Sequence, residues 1–243
     1  MLDLHCHILP GIDDGPKTLD ESVAMCRMAE EDGINAIVAT PHKSSFVADV
    51  SAQQVSDGIK QLEEALAQNN IDIEILPGHE IHISKDLIDN IDSGRALTIN
   101  NNKKYILLEL PFRSVPFYVF DVLAQLKVKE IIPIIAHPER NTQIQTDKPM
   151  MKKLIKAGAL AQITGSSLTG EYGGAAQRTA EELLSKGLVH IIASDAHSDR
   201  RPPLLSSAVK AAAKIIGEKK ALELVEENPL GIIKGELAVS HKP

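Results

Sequence analysis

Seven short apolar runs recur along the chain, at residues 2–6, 35–40, 73–77, 105–110, 131–136, 159–163 and 189–194. Most are near-continuous stretches of Ile, Leu, Val and Ala rather than alternations of apolar and polar residues. Strands of that kind are buried on both faces, the habit of parallel sheets covered by helices. The segments between them carry helix signals. Thr18-Leu19-Asp20-Glu21 is a capping box, and its segment runs to Gly33, a residue suited to the position past a helix end. Ser51 to Gln54 repeats the box ahead of Val55, Ile59, Leu62 and Leu66, which share one helical face. Further helices are expected near 116–127, 149–157, 175–185 and 205–216, and a last one near 219–226 that stops at Asn228-Pro229. Strand-then-helix units in this order, without a linker, predict one α/β domain spanning 1–243. Its parallel sheet is expected to close into a (β/α)7 TIM-like barrel, with an open doubly wound sheet as the alternative.

The residues that interrupt the apolar pattern fall at the C-terminal ends of these runs. His5 and His7 close the first, His42 follows the second and Glu80 the third. Glu109 ends the fourth, His137 the fifth, and Asp195 and His197 close the last. In a parallel barrel those ends form one rim, where active sites are built. Residues two apart on a strand share a face, so His5 and His7 can converge on one ion while Cys6 turns away. Asp195 and His197 are expected to do the same. Asp14 lies in the first connection and can reach over the rim, although Asp13-Asp14-Gly15 is also an ordinary turn signal. Glu109 would be costly to bury unpaired, which also points to a ligand role. Mixed imidazole and carboxylate donors suit Zn, Mn or Fe. Nine such residues exceed the needs of one or two ions, so three ions are expected, with Glu80 bridging two. His82 shares the face of Glu80 and is a candidate substrate contact. His79 and His190 have the wrong parity and read as structural, and His241 lies in a polar tail.

Composition removes other classes. A net charge of −7 argues against a nucleic-acid surface, which needs a basic face. The two cysteines, Cys6 and Cys26, form no CxxC and no thiolate metal site. A cysteine-nucleophile phosphatase places arginine six residues past its cysteine, but those positions hold Ile12 and Asp32. No basic leader or long apolar run is present, so no membrane span and a cytoplasmic location are expected.

The motifs Asp3-Leu4-His5-Cys6-His7-Ile8-Leu9-Pro10-Gly11-Ile12-Asp13-Asp14-Gly15, Ala39-Thr40-Pro41-His42 and Leu76-Pro77-Gly78-His79-Glu80 belong together with two others. These are Ile135-Ala136-His137-Pro138-Glu139-Arg140-Asn141 and Ser194-Asp195-Ala196-His197. In combination they resemble the PHP (polymerase and histidinol phosphatase) superfamily. Within it they resemble the bacterial manganese-dependent tyrosine phosphatases of capsule and exopolysaccharide loci, the CpsB/CapC/YwqE type. The likeness runs from residue 2 to about 230. It implies the PHP fold, a distorted (β/α)7 TIM-like barrel, and three divalent ions, manganese first, with iron or zinc as alternatives. One ion would take His5, His7, Glu80 and Asp195, a second Glu80, Glu109 and His137, and a third Asp14, His42 and His197. It also implies that Arg140 and an arginine after the Asp-Ala-His motif bind phosphate. The second is placed at Arg201, with Arg200 beside it as the alternative, because the loop differs slightly in length. The activity implied is phosphotyrosine hydrolysis on a protein by metal-activated hydroxide, the partner being a bacterial tyrosine kinase.

Three other functions share parts of this pattern. A small-metabolite phosphatase such as histidinol phosphatase would keep the same fold and metals. An amidohydrolase shares the paired histidines, but no lysine stands at a strand end to bridge its metals. A metal-stabilised binding module predicts lost ligands, and all nine positions are filled. Tyr172, in the Gly-rich stretch 170–174, reads as part of a rim loop.

Overall fold

Every pairing between the named strands is parallel. The computed structural model describes residues 1–44, 46–147 and 149–236, so His241 lies outside the described residues. The strands are β1 (Leu2–Cys6), β2 (Ala36–Ala39), β3 (His42–Lys43), β4 (Glu74–Pro77) and β5 (Glu80–His82). They continue with β6 (Tyr105–Glu109), β7 (Ile132–Ala136), β8 (Leu160–Thr164) and β9 (Ile191–Ala193). One sheet has the order β1-β2-β4 and the other β3-β5-β6-β7-β8-β9.

The second and third predicted strands are each broken in two. After β2 the chain passes Thr40-Pro41, where proline supplies no N–H to a ladder. After β4 it passes Gly78-His79, and a Cβ on Gly78 would stand 2.9 Å from Val38 Cγ1, so a side chain there would press on Val38. Beyond the breaks, His42 pairs with Glu80, and Glu80 with Leu107. The breaks therefore start two short strands on metal-ligand candidates. At the other edge β9 returns to β1 through a bridge between Cys6 and Ala196, with His7 N donating to Ala196 O at 2.8 Å and Asp195 N to His5 O at 2.8 Å. The strands thus form two parallel sheets that meet at this edge through a single bridge rather than a full ladder.

Helices cover the strands: α1 (Leu19–Glu31), α2 (Ala52–Gln68), α3 (Leu87–Asp92), α4 (Val119–Val128), α5 (Thr142–Thr146) and α6 (Pro149–Lys156). Then come α7 (Gly165–Leu168), α8 (Gly173–Ser185), α9 (Ser206–Ile216), α10 (Glu218–Glu223) and α11 (Glu227–Lys234). Both capping boxes form, at Thr18/Glu21 and Ser51/Gln54. The stop expected at Asn228-Pro229 is instead the first turn of α11. Proline is tolerated there because first-turn N–H groups have no intrahelical partner.

The larger apolar cluster packs strand residues such as Ile37, Ile106 and Ile135 against helix residues such as Met25, Leu62 and Leu183. The smaller one is built mostly of strand residues, among them Leu4, Val38, Leu107 and Ile134. Leu4 and Cys6 belong to different clusters although they are two apart. A register shift between Asp3 and Cys6 against β2, one residue longer on β1, reverses the pleat there. The bulge sits under the first ligand pair.

Candidate metal centre

All nine predicted ligands meet at the C-terminal rim. Glu80 Oε2 lies 3.5 Å from His5 Nε2, 3.4 Å from His7 Nε2 and 3.1 Å from His42 Nδ1, while Oε1 is 2.9 Å from His137 Nε2. Asp195 Oδ1 stands 3.4 Å from His5 Nε2 and 3.8 Å from His7 Nε2. Asp14 reaches over from its loop, with Oδ1 at 3.4 Å from both His42 Nε2 and His197 Nε2. Glu109 Oε1 is 4.0 Å from His137 Nε2. His5, His7 and Glu80 form one close group with Asp195 beside His5, and Asp14, His42 and His197 lie together. The boundaries between sets are softer than the sequence implied. His7 also groups with Asp14, His42 and His197, and His42 with Glu80 and Glu109, with donor atoms within 4.8 Å of one another.

One sequence expectation about local geometry is corrected. Asp195 and His197 do not share a strand face, because β9 ends at Ala193 and Asp195 is left-handed at φ 52°. The kink still brings His197 Nδ1 to 3.6 Å from Asp195 Oδ1. His137 is likewise left-handed, at φ 31°. Non-glycine residues in that region are held there only by surrounding structure, and they cluster at functional sites.

The donor set fits divalent ions. Donors about 2.1 Å from a shared tetrahedral ion stand about 3.4 Å apart, whereas hydrogen-bonded atoms lie at about 2.7–3.2 Å. The His5 and His7 Nε2 atoms are 3.3 Å apart, yet neither has a proton to spare for the other in the neutral ring. His5 Nδ1 donates to Gln162 Oε1 at 2.9 Å and His7 Nδ1 to Asp13 Oδ2 at 2.7 Å, which leaves both Nε2 lone pairs facing inward. Two facing lone pairs repel unless a proton or a metal ion lies between them. Such partners on the far nitrogen fix tautomer and ring orientation in metal-binding histidines.

Electrostatics point the same way. Burial acts to lower His7 and His42, but hydrogen bonds and charge from Asp13 and Glu80, and from Asp14 and Glu80, raise them to about 9 and about 11 respectively. Burial acts to raise Asp195, but His5, His137 and Arg140 hold it down at about 2. Four carboxylates packed among imidazoles demand positive charge, which protons or metal ions can supply.

Both predicted arginines reach the cluster. Arg140 Nη1 pairs with Asp195 Oδ2, and Arg201 Nη2 stands 3.0 Å from the same oxygen while donating to Asp195 O at 2.9 Å. Arg201, rather than the exposed Arg200, faces the cluster. Arg140 is sandwiched between aromatic rings, its Cζ 5.0 Å from the Phe112 centroid and 4.3 Å from that of Tyr172. Tyr172, immediately before α8, also lies 5.7 Å from Arg201 Cζ.

Several supporting residues were not singled out as functional from the sequence. Asp13 anchors His7 and also accepts the His42 amide at 3.2 Å. Asp3 accepts the Ser194 amide at 3.0 Å and the Ser194 hydroxyl, tying β1 to the Asp195 turn. Gln162 is the one polar residue in the run 159–163, a signal that was available. His82 Nδ1 lies 3.2 Å from Glu109 Oε2, so it supports a ligand candidate. His79 Nδ1 accepts the Leu97 amide at 2.9 Å and His190 Nδ1 the Ala161 amide at 3.1 Å, both away from the cluster. Cys6 is fully buried, and burial pushes its thiol well above the usual range, which keeps it protonated.

Residues 1–234 match the family described as capsular polysaccharide synthesis, CpsB/CapC. The tyrosine-protein phosphatase YwqE of Bacillus subtilis is 38% identical over 198 residues, 82% of this chain and 78% of YwqE. The putative tyrosine-protein phosphatase CapC of Staphylococcus aureus is 31% identical, covering 100% of this chain and 92% of CapC. A crystal structure from work on YwqE and Streptococcus pneumoniae CpsB, described as unique metal-dependent tyrosine phosphatases, superposes with a TM-score of 0.93. Its sequence is 34% identical, over 98% of this chain and 96% of that one. A histidinol phosphate phosphatase from Lactococcus lactis shares the fold alone, at TM-score 0.57 and 14% identity.

Proposed function

The chain belongs to the CpsB/CapC family, and from that premise we infer that it is a metal-dependent protein-tyrosine phosphatase whose nine His, Asp and Glu residues at the rim hold three ions. The observation that carries this reading is the convergence of Arg140 and Arg201 on Asp195, at the edge of the ligand cluster. His5, His7, Glu80 and Asp195 would hold one ion, Glu80, Glu109 and His137 a second, and Asp14, His42 and His197 a third, with manganese the expected metal. When bound, such ions supply Lewis acidity and a water acidified toward neutral pH.

The chain's own residues do the remaining work. Each guanidinium has donors beyond those used on Asp195, and its planar fork matches two phosphate oxygens. Phe112 and Tyr172 hold the Arg140 plane in place, so little rotamer entropy is lost when phosphate binds. Gln162 and Asp13 keep the His5 and His7 lone pairs aimed inward. A phenolate leaving group, with a pKa of about 10, needs no strong general acid, and no residue is assigned that role.

The substrate proposed is phosphotyrosine on a bacterial tyrosine kinase of capsule synthesis, met in the cytoplasm. No helix among the described residues is long and apolar enough to cross a membrane. The test is metal analysis of the purified protein together with turnover of phosphotyrosine peptide, phosphoserine peptide and histidinol phosphate. Manganese-dependent activity confined to phosphotyrosine is expected. Preference for histidinol phosphate would refute the assignment.

A further inference from the structure

The chain has four phenylalanines, and the core uses none of them fully. Phe46 is 82% exposed, Phe112 48%, Phe117 89% and Phe120 41%. An exposed phenylalanine is unremarkable singly, but grouped aromatics mark interaction sites. All four lie beyond the C-terminal ends of two strands, β3 and β6, which flank β5 in the sheet. Phe46 is in the connection after β3. Phe112 and Phe117 precede α4, and Phe120 sits in its first turn.

Between the two connections runs a groove of about 650 Å³ in which Phe46, Ile81, Ile83, Pro111 and Tyr118 form the apolar part of the lining, beside charged residues that include Lys43, Asp49, Lys85, Asp86 and Arg95. Its inner end abuts the ligand cluster. Phe46 packs edge-on against His82 at 5.6 Å between centroids, and His82 contacts Glu109. On the other side Phe112 stacks on His137 at 5.5 Å and 12°. Farther out, Phe117 meets Tyr118 edge-on at 5.5 Å, while the Tyr118 hydroxyl donates to Ile83 O at 3.3 Å and keeps that ring in the wall. The aromatic surface is therefore continuous with the centre where phosphate would be held.

We infer that this groove seats the polypeptide flanking the phosphotyrosine and selects an apolar or aromatic side chain next to it, an inference that rests on the phosphatase reading. A protein substrate must leave the catalytic centre along the rim. This groove offers it the Phe46 and Tyr118 rings, and it reaches the ligand candidates through His82. A second copy of the chain or a membrane would have no need of that continuity, and docking there would close the mouth of the site.

The test compares three substrates with manganese-loaded protein. They are a phosphotyrosine peptide with Leu and Phe flanks, one of equal charge with Ser and Gly flanks, and p-nitrophenyl phosphate. The wild type is expected to prefer the apolar-flanked peptide by about tenfold in kcat/KM, the scale of burying one such side chain. Phe46→Ala and Phe117→Ser, both at exposed positions, are expected to cut that preference below about threefold. The apolar-flanked peptide should lose more activity than p-nitrophenyl phosphate does. An absent preference in the wild type, or one that survives both substitutions, overturns the inference. So does a change in oligomeric state by light scattering, or in binding to anionic vesicles, that leaves peptide preference intact. Failure of the wild type on all three substrates would instead bring down the phosphatase reading itself.

Discussion

Replacing Gln162 with methionine isolates how the fold aims a ligand without touching the ligand. Gln162 and His5 are both fully buried, and His5 Nδ1 donates to Gln162 Oε1 at 2.9 Å. That bond keeps the proton on Nδ1 and the lone pair on Nε2, toward Glu80 and Asp195. Without it the neutral ring can move its proton to Nε2 and donate to those carboxylates, 3.5 and 3.4 Å away. A metal must then displace that proton. Loss of such an outer partner costs about 10–100-fold in metal affinity, or about 1.4–2.8 kcal/mol. The apo fold should change less. Gln162 Nε2 has no partner, so the substitution removes a buried unsatisfied amide as well as a hydrogen bond worth about 1 kcal/mol. The assay is competition for Mn²⁺ against a chelating indicator at fixed pH, with thermal melting of the stripped protein beside it. Gln162→Met is expected to weaken binding by ten- to a hundredfold with a melting temperature near that of the wild type. Affinity within twofold of wild type, with the fold intact, would refute the argument that Gln162 sets the His5 tautomer.

The remaining expectations concern charge and chemistry. Arg140→Lys should lower kcat/KM on p-nitrophenyl phosphate by about a hundredfold while metal content stays normal, because an ammonium neither forks onto phosphate nor fills the Phe112–Tyr172 sandwich. Near-normal turnover would remove Arg140 from phosphate binding. Cys6→Ser should keep metal-dependent activity within a few-fold, since the thiol is buried and protonated; complete loss in a folded, metal-loaded variant would reopen the cysteine route. In the stripped protein, raised His7 and His42 contribute stability that is complete below the unfolded value of 6.5 and is lost as pH rises through about 9 and about 11. Metal binding displaces the same protons, so from pH 6.5 to 9 the stripped protein should melt lower and manganese affinity should rise. Parallel pH trends in the two measurements would contradict this.

The alternating apolar runs, the two capping boxes and the strand-end position of eight of the nine ligand candidates were legible in the sequence. Each depends on a local period or on residues at most a few positions apart. Chain direction alone places the C-terminal ends of parallel strands on one rim, so nine ligand candidates could be named before their geometry was known. The breaks at Thr40-Pro41 and Gly78-His79 were not legible, because they depend on how closely Gly78 approaches Val38 across the sheet. The left-handed turns at His137 and Asp195 were hidden for a similar reason, being conformations imposed by surrounding structure. Nor could sequence pair His5 with Gln162, 157 positions away, or show that Phe46 and Tyr118 line one groove. Sequence alone determined which residues could bind metal and on which side of the fold they stand. Tertiary structure decided which nitrogen each histidine presents, how His7 and His42 stand between the ligand sets, and what the arginines lean on. Those choices depend on distances between strands that share no local sequence.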